Sequence, residues 1–160
     1  VAPALADDSG FSFVLNHFPH NGAMPQLRGL LEFALYVEDL EACAAWYEDL
    51  FGLEPMVAEE GFRAFALPGS QALLLFKTGV AADPLELEGG TIPGHDGFGQ
   101  THIAFAVNAA DLPEWEEQLK AREIPIESRV TWPPGGESLY FRDPNGHLLE
   151  LVTPGIWPIY

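Results

Sequence analysis

The sequence predicts an α+β fold built from two β-α-β-β-β modules, with helices covering one face of mixed sheets. Three observations lead there. The opening Glu32-Phe-Ala-Leu-Tyr-Val37 returns as His102-Ile-Ala-Phe-Ala-Val107. Each opening is followed by one helical pattern and three further apolar runs, so the hydrophobic period changes from two to about 3.6 and back. The runs that close the copies, Leu73-Leu-Leu-Phe76 and Leu148-Leu-Glu-Leu151, also resemble each other.

The elements follow in order. Residues 1–26 stand apart as an N-terminal extension, in which Phe11-Ser-Phe-Val-Leu15 reads as a short strand and His17-Phe-Pro-His-Asn-Gly22 as a turn. Module 1 takes residues 27–78. In its first strand, alternation puts Phe33, Leu35 and Val37 on one face and Glu32, Ala34 and Tyr36 on the other. Asp39 caps a helix with the apolar stripe Leu40, Cys43, Tyr47, Leu50 and Phe51, and Gly52 stops it. Strands are expected near 53–59, 61–67 and 71–77, with Pro68-Gly69 turning the chain before the last. A Gly-, Pro- and Asp-rich linker spans 79–100. Module 2, residues 101–154, repeats the order. Asp111-Leu-Pro-Glu114 predicts a capping box for a helix buried through Leu112, Trp115 and Leu119. Strands are expected near 125–131, 136–142 and 147–152, the last entered through Asp143-Pro-Asn-Gly146. Residues 155–160 form a tail.

Composition narrows the partners. The 160 residues are 48% hydrophobic and carry 7 basic against 24 acidic side chains, a net charge of −17. That surface repels nucleic acid phosphates and anionic lipid, so neither is an expected partner. The single Cys43 excludes an internal disulfide and suits a reducing compartment. No apolar run reaches membrane-spanning length and the start has no basic signal region, so a cytoplasmic protein is expected.

Three ionisable residues interrupt otherwise apolar strands: Glu32, His102 and Glu150. Bulky side chains occupy the helix-facing positions of both opening strands, whereas Ala34, Ala104 and Ala106 flank the ionisable groups on the other faces. Small residues there leave space, which predicts a cavity. Two carboxylates and an imidazole in one cavity need a counter-charge, and a divalent cation supplies it. Mixed nitrogen and oxygen ligands suit Mn²⁺, Fe²⁺, Zn²⁺ or Ni²⁺. By alternation Ser138 and Tyr140 share one face, and Tyr36 shares that of Glu32, so all three are candidate pocket residues.

The segment Phe141-Arg-Asp-Pro-Asn-Gly-His-Leu-Leu-Glu-Leu151 resembles the closing motif of the vicinal oxygen chelate superfamily of glyoxalases, bleomycin-resistance proteins and extradiol dioxygenases. Leu35-Tyr-Val-Glu-Asp-Leu40 with Trp46-Tyr-Glu-Asp-Leu-Phe-Gly-Leu53 is similar to its first helix unit. The resemblance covers residues 30–154. It implies a cupped sheet around a metal held by Glu32, His102 and Glu150, with Glu32 in place of the commoner His. Glyoxalases add a fourth ligand, whose place by repeat alignment is Leu75. The missing carboxylate argues against lactoylglutathione lyase activity. Ser138-Leu-Tyr-Phe-Arg-Asp-Pro144 is similar to fosfomycin-resistance members, whose corresponding Ser and Tyr contact substrate. The likeness implies Ser138 as a substrate-binding residue, joined by Tyr36, and Tyr140, ahead of Tyr36, is the expected proton donor.

The resemblance therefore implies a metal-dependent enzyme acting on a small molecule whose vicinal oxygens chelate a divalent ion. Lyase-, isomerase- or dioxygenase-like chemistry would follow, in a homodimer. The alternative is a metal-free protein that sequesters a small aromatic or cationic ligand, with Trp46, Trp115, Trp132 and Trp157 as aromatic contacts. His95, in the linker, is placed to reach the cavity, but as a loop residue it is expected at the surface.

Overall fold

Backbone pairing realises the doubled unit. The structure is a computed structural model that describes residues 25–160; the strand and turn expected at 11–22 lie outside the described residues. Module 1 runs β1 (Glu32–Val37), α1 (Leu40–Phe51), β2 (Pro55–Glu59), β3 (Phe62–Leu67) and β4 (Gln71–Lys77). The linker is not structureless, for it carries the hairpin β5 (Leu85–Leu87) and β6 (Gly90–Ile92). Module 2 follows with β7 (His102–Ala106), α2 (Leu112–Ala121), β8 (Ser128–Thr131), β9 (Glu137–Arg142) and β10 (Leu148–Val152). Each module makes one four-stranded sheet, ordered β1-β4-β3-β2 and β7-β10-β9-β8. The first strand pairs parallel with the last in both, and the other pairings are antiparallel.

The helices start by different means. Asp39 accepts a hydrogen bond from the Ala42 amide at 3.0 Å, and Gly52 ends α1 in the left-handed conformation at φ 64°. The capping box expected at Asp111 does not form. A 3-10 turn over Ala109–Asp111 leads directly into α2, and the Asp111 carboxylate instead accepts from the Asn108 amide at 2.7 Å.

Both modules share one core. Leu35, Val37, Leu73 and Leu75 from the first sheet meet Leu139, Phe141, Leu149 and Leu151 from the second around Tyr47, Leu50, Leu112 and Leu119 of the helices. Aromatic contacts cross the boundary, with Trp46 lying 6.3 Å from Phe141 and Phe51 lying 5.0 Å from Phe105. Because the inner faces converge, the faces carrying Glu32 and Glu150 turn outward.

The turn Asp143-Pro-Asn-Gly-His147 clamps the modules together. Buried Asp143 accepts from the Tyr47 hydroxyl at 3.0 Å and from the amides of Asn145 and His147. Asn145 receives the Glu38 amide and donates to the Tyr36 carbonyl. His147 Nδ1 accepts the Thr101 amide, so the ring carries its proton on Nε2 and donates to the same Tyr36 carbonyl at 3.1 Å. The polar residues of this motif thus serve architecture.

One register assignment from sequence needs correction. Glu150 pairs with Ala104 two positions beyond His102, and the matched place in module 1, opposite Ala34, is Leu74 rather than Leu75. Leu75 is fully buried and faces the helices. A run of three leucines shows no alternation, so it hides which of them faces the core.

Candidate metal centre

Strand pleating brings His102 and Glu150 together. They lie on neighbouring strands β7 and β10 and on the same outward face, with Nε2 of His102 3.2 Å from Oε2 of Glu150. The imidazole is half exposed, whereas Glu150 is 4% exposed. His102 Nδ1 lies 3.1 Å from the Leu148 carbonyl oxygen. Both ring nitrogens therefore face acceptors. With its proton on Nδ1, the ring donates to Leu148 and turns the Nε2 lone pair toward a carboxylate oxygen. A cation or a second proton at Nε2 resolves that mismatch. A nitrogen lone pair and a carboxylate oxygen converging on one point fit a divalent metal.

The other oxygen of Glu150 is fully engaged. Oε1 accepts from the Ser138 hydroxyl at 2.5 Å and from the Tyr140 hydroxyl at 2.9 Å. Ser138 in turn accepts from the indole N–H of Trp132 at 2.8 Å. Burial, and then the bond to Glu150, raise the Tyr140 pKa, so this phenol keeps its proton and acts as a donor. Its ring stands 6.2 Å from that of His102.

The remaining expected residues are placed elsewhere. Glu32 opens β1 on the outward face of module 1, is exposed, and is not gathered with His102 and Glu150. Among the described residues, no group of three or more His, Cys, Asp or Glu side chains could hold a metal ion within one chain. The Tyr36 hydroxyl pairs with His95 Nδ1 at 2.6 Å, and its ring stacks on Phe76 at 5.8 Å. Burial first and Asp96 second raise the Tyr36 pKa, so Tyr36 is the donor in that pair. A cavity of about 540 Å³ runs between β1 and β7, each the end strand of its sheet among the described residues, and is bordered by Phe33, Ala34, His102, Ala104 and Ala106.

Sequence reading missed the role of Trp132. The signal was present as an aromatic residue followed by Pro133-Pro-Gly-Gly136, a turn that returns the indole toward the face of β9.

Comparison with known proteins agrees with this architecture. Residues 29–151 match the family model of the Glyoxalase/Bleomycin resistance protein/Dioxygenase superfamily. A metallothiol transferase FosB of Bacillus licheniformis is 29% identical over 133 residues, covering 82% of this chain and 79% of that protein. The fosfomycin resistance protein FosX of Listeria innocua is 27% identical over 126 residues, covering 78% and 89%. Among solved structures, lactoylglutathione lyase from Agrobacterium tumefaciens is similar with a TM-score of 0.76 and 34% identity, covering 84% of this chain and 99% of that one. A FosX from Listeria monocytogenes shares the fold at a TM-score of 0.60 and 22% identity, over 80% and 94% of the two chains.

Proposed function

Because the chain belongs to the glyoxalase/bleomycin resistance protein/dioxygenase superfamily, we propose that it is a divalent-metal-dependent enzyme acting on a small molecule with two adjacent oxygens. The observation that carries this reading is the convergence of His102 Nε2 and Glu150 Oε2. In this reading His102 and Glu150 of one chain hold the ion together with Glu32 of a second copy. The outward faces of the two modules, the exposed Ala104 and Ala106, and the edges of β1 and β7, unpaired among the described residues, support completion by a second copy. When bound, a divalent cation supplies Lewis-acid polarisation of substrate oxygens. The chain's own contribution is to fix Glu150 in one rotamer, to hold a proton on Tyr140 beside the site, and to keep the cup wall small at Ala104.

Charge narrows the substrate. Five of the seven basic residues are paired: Arg63 with Glu41, Lys120 with Glu117, Arg122 with Asp49, Arg129 with Glu116 and Arg142 with Glu127. Arg142 shares the face of Tyr140 but is spent on Glu127, Gln100 and the Gly146 carbonyl. Two carboxylates neutralise a divalent ion, so the centre offers little attraction to a multiply charged anion such as a phosphonate. A substrate of low net charge fits better. Leu74 supplies no fourth ligand or carboxylate base, which separates this site from that of a lactoylglutathione lyase.

Elemental analysis of protein purified without added metal, followed by titration with Mn²⁺, Co²⁺ and Zn²⁺, tests the reading. Stoichiometric uptake is expected, lost in Glu32→Ala, His102→Ala and Glu150→Ala and retained in Leu74→Ala. Protein that takes up none of these ions is instead a metal-free ligand-binding protein.

A further inference from the structure

Ser138 is completely buried and sits between two partners, accepting the Trp132 indole proton and donating its own to Glu150. We infer that Trp132 and Ser138 are positioning residues that form a relay, Trp132 Nε1–H to Ser138 Oγ–H to Glu150 Oε1, which fixes the oxygen that Glu150 offers to a cation. This rests on the metal-centre reading above and assigns Ser138 away from direct substrate contact.

A serine hydroxyl has one proton and can rotate it among neighbours. With the indole donating to Oγ, the hydroxyl proton is left for Glu150, since an indole N–H can only donate. Tyr140 occupies the same Oε1. With two donors on Oε1, the charge available to a ligand lies on Oε2, the atom facing His102.

The turn that carries Trp132 is itself fixed. The Trp132 amide donates to the Gly136 carbonyl at 2.8 Å, and the Gly135 amide returns to the Trp132 carbonyl at 2.9 Å. Residues 153–156 brace it from outside. Thr153 Oγ1 accepts the Glu137 amide at 2.8 Å, and a Cβ on Gly136 would stand 2.7 Å from Ile156 Cγ2. Gly136 is required there by close approach. The backbone that carries Trp132 is therefore held against the C-terminal segment.

The test is Co²⁺ titration of the full chain, followed by visible absorption, which reports coordination, and by tryptophan fluorescence. Trp132→Phe keeps an aromatic ring and removes only the donor; it is expected to weaken Co²⁺ binding about tenfold and to alter the absorption envelope. Ser138→Ala is expected to weaken binding by about ten- to a hundredfold. The decisive comparison is the double variant, which should bind no more weakly than Ser138→Ala alone, because Trp132 acts only through Ser138. If Ser138→Ala does not fold, Tyr140→Phe replaces it with the opposite expectation. Tyr140 donates to Oε1 with its own hydroxyl, beside Ser138, so the Trp132/Tyr140 double variant should bind more weakly than either single one. Wild-type affinity in Trp132→Phe, or additive losses in the Trp132/Ser138 double variant, overturns the relay alone. Failure of the wild-type protein to bind Co²⁺ overturns the metal reading and the relay with it.

Discussion

Tyr47 and Asp143 show how a single buried pair joins the two modules. Tyr47 is fully buried and donates to Asp143, which is 5% exposed and also accepts two backbone amides. Tyr47→Phe removes one donor and leaves a buried carboxylate oxygen short of a partner, at a cost of about 1–3 kcal/mol. Urea unfolding followed by circular dichroism should show that loss. Burial, with Asp143 second, raises the Tyr47 pKa well above 10, so its contribution has a defined pH dependence. The contribution is fully present below pH 10, where the unfolded phenol is also protonated. It is lost as pH rises from there toward the folded value. The wild-type urea midpoint should therefore fall between pH 9 and pH 11, and Tyr47→Phe should flatten that fall. Cys43 beside this pair is pushed up to about 12 by burial and then by Asp143, which agrees with a core role. At this scale the sequence disclosed the Asp39 cap and the core role of Cys43. It misled at Asp111 because the cap depends on the backbone entering the helix, which a 3-10 turn changed.

At the scale of elements, alternation was informative where the two faces differ in chemistry. In β1 and β7 the ionisable residue, the alanines and the bulky residues fall on separate faces, and the observed burial follows them. In β4 every central residue is leucine or phenylalanine, so only pairing to β1 shows that Leu74 matches Glu150. This register makes an unequal prediction for two neighbouring substitutions. Leu75→Glu places a carboxylate in the shared core and should cost about 3 kcal/mol or more. Leu74→Glu places it on the outward face and should leave a folded protein with thermal stability close to wild type. Melting curves of the two variants check it, and equal losses would mean that the register is wrong.

For the whole molecule, one core holds both modules, and the polar face of each sheet lies on the side opposite that core. In the proposed metal centre, Glu32 comes from a second copy and His102 and Glu150 from the first. Mixing Glu32→Ala with His102→Ala protein tests this directly. A shared site predicts recovery of about a quarter of wild-type metal uptake, since about half the dimers are mixed and each of those has one intact site. No recovery after exchange would place the ligands within one chain. The net charge of −17 acts on the same scale, disfavouring nucleic acid and anionic surfaces.

The sequence by itself determined the doubled module, the order of its strands and helices, and the three polar residues that break its apolar strands. These are local patterns, carried by side-chain period and by turn residues. Tertiary structure decided which strands pair and in what register, and it committed the closing motif to joining modules. It also separated Glu32 from His102 and Glu150, and it set Trp132 and Ser138 behind the carboxylate. Each of these depends on contacts between residues far apart in the chain, where the sequence records the partners but not their meeting.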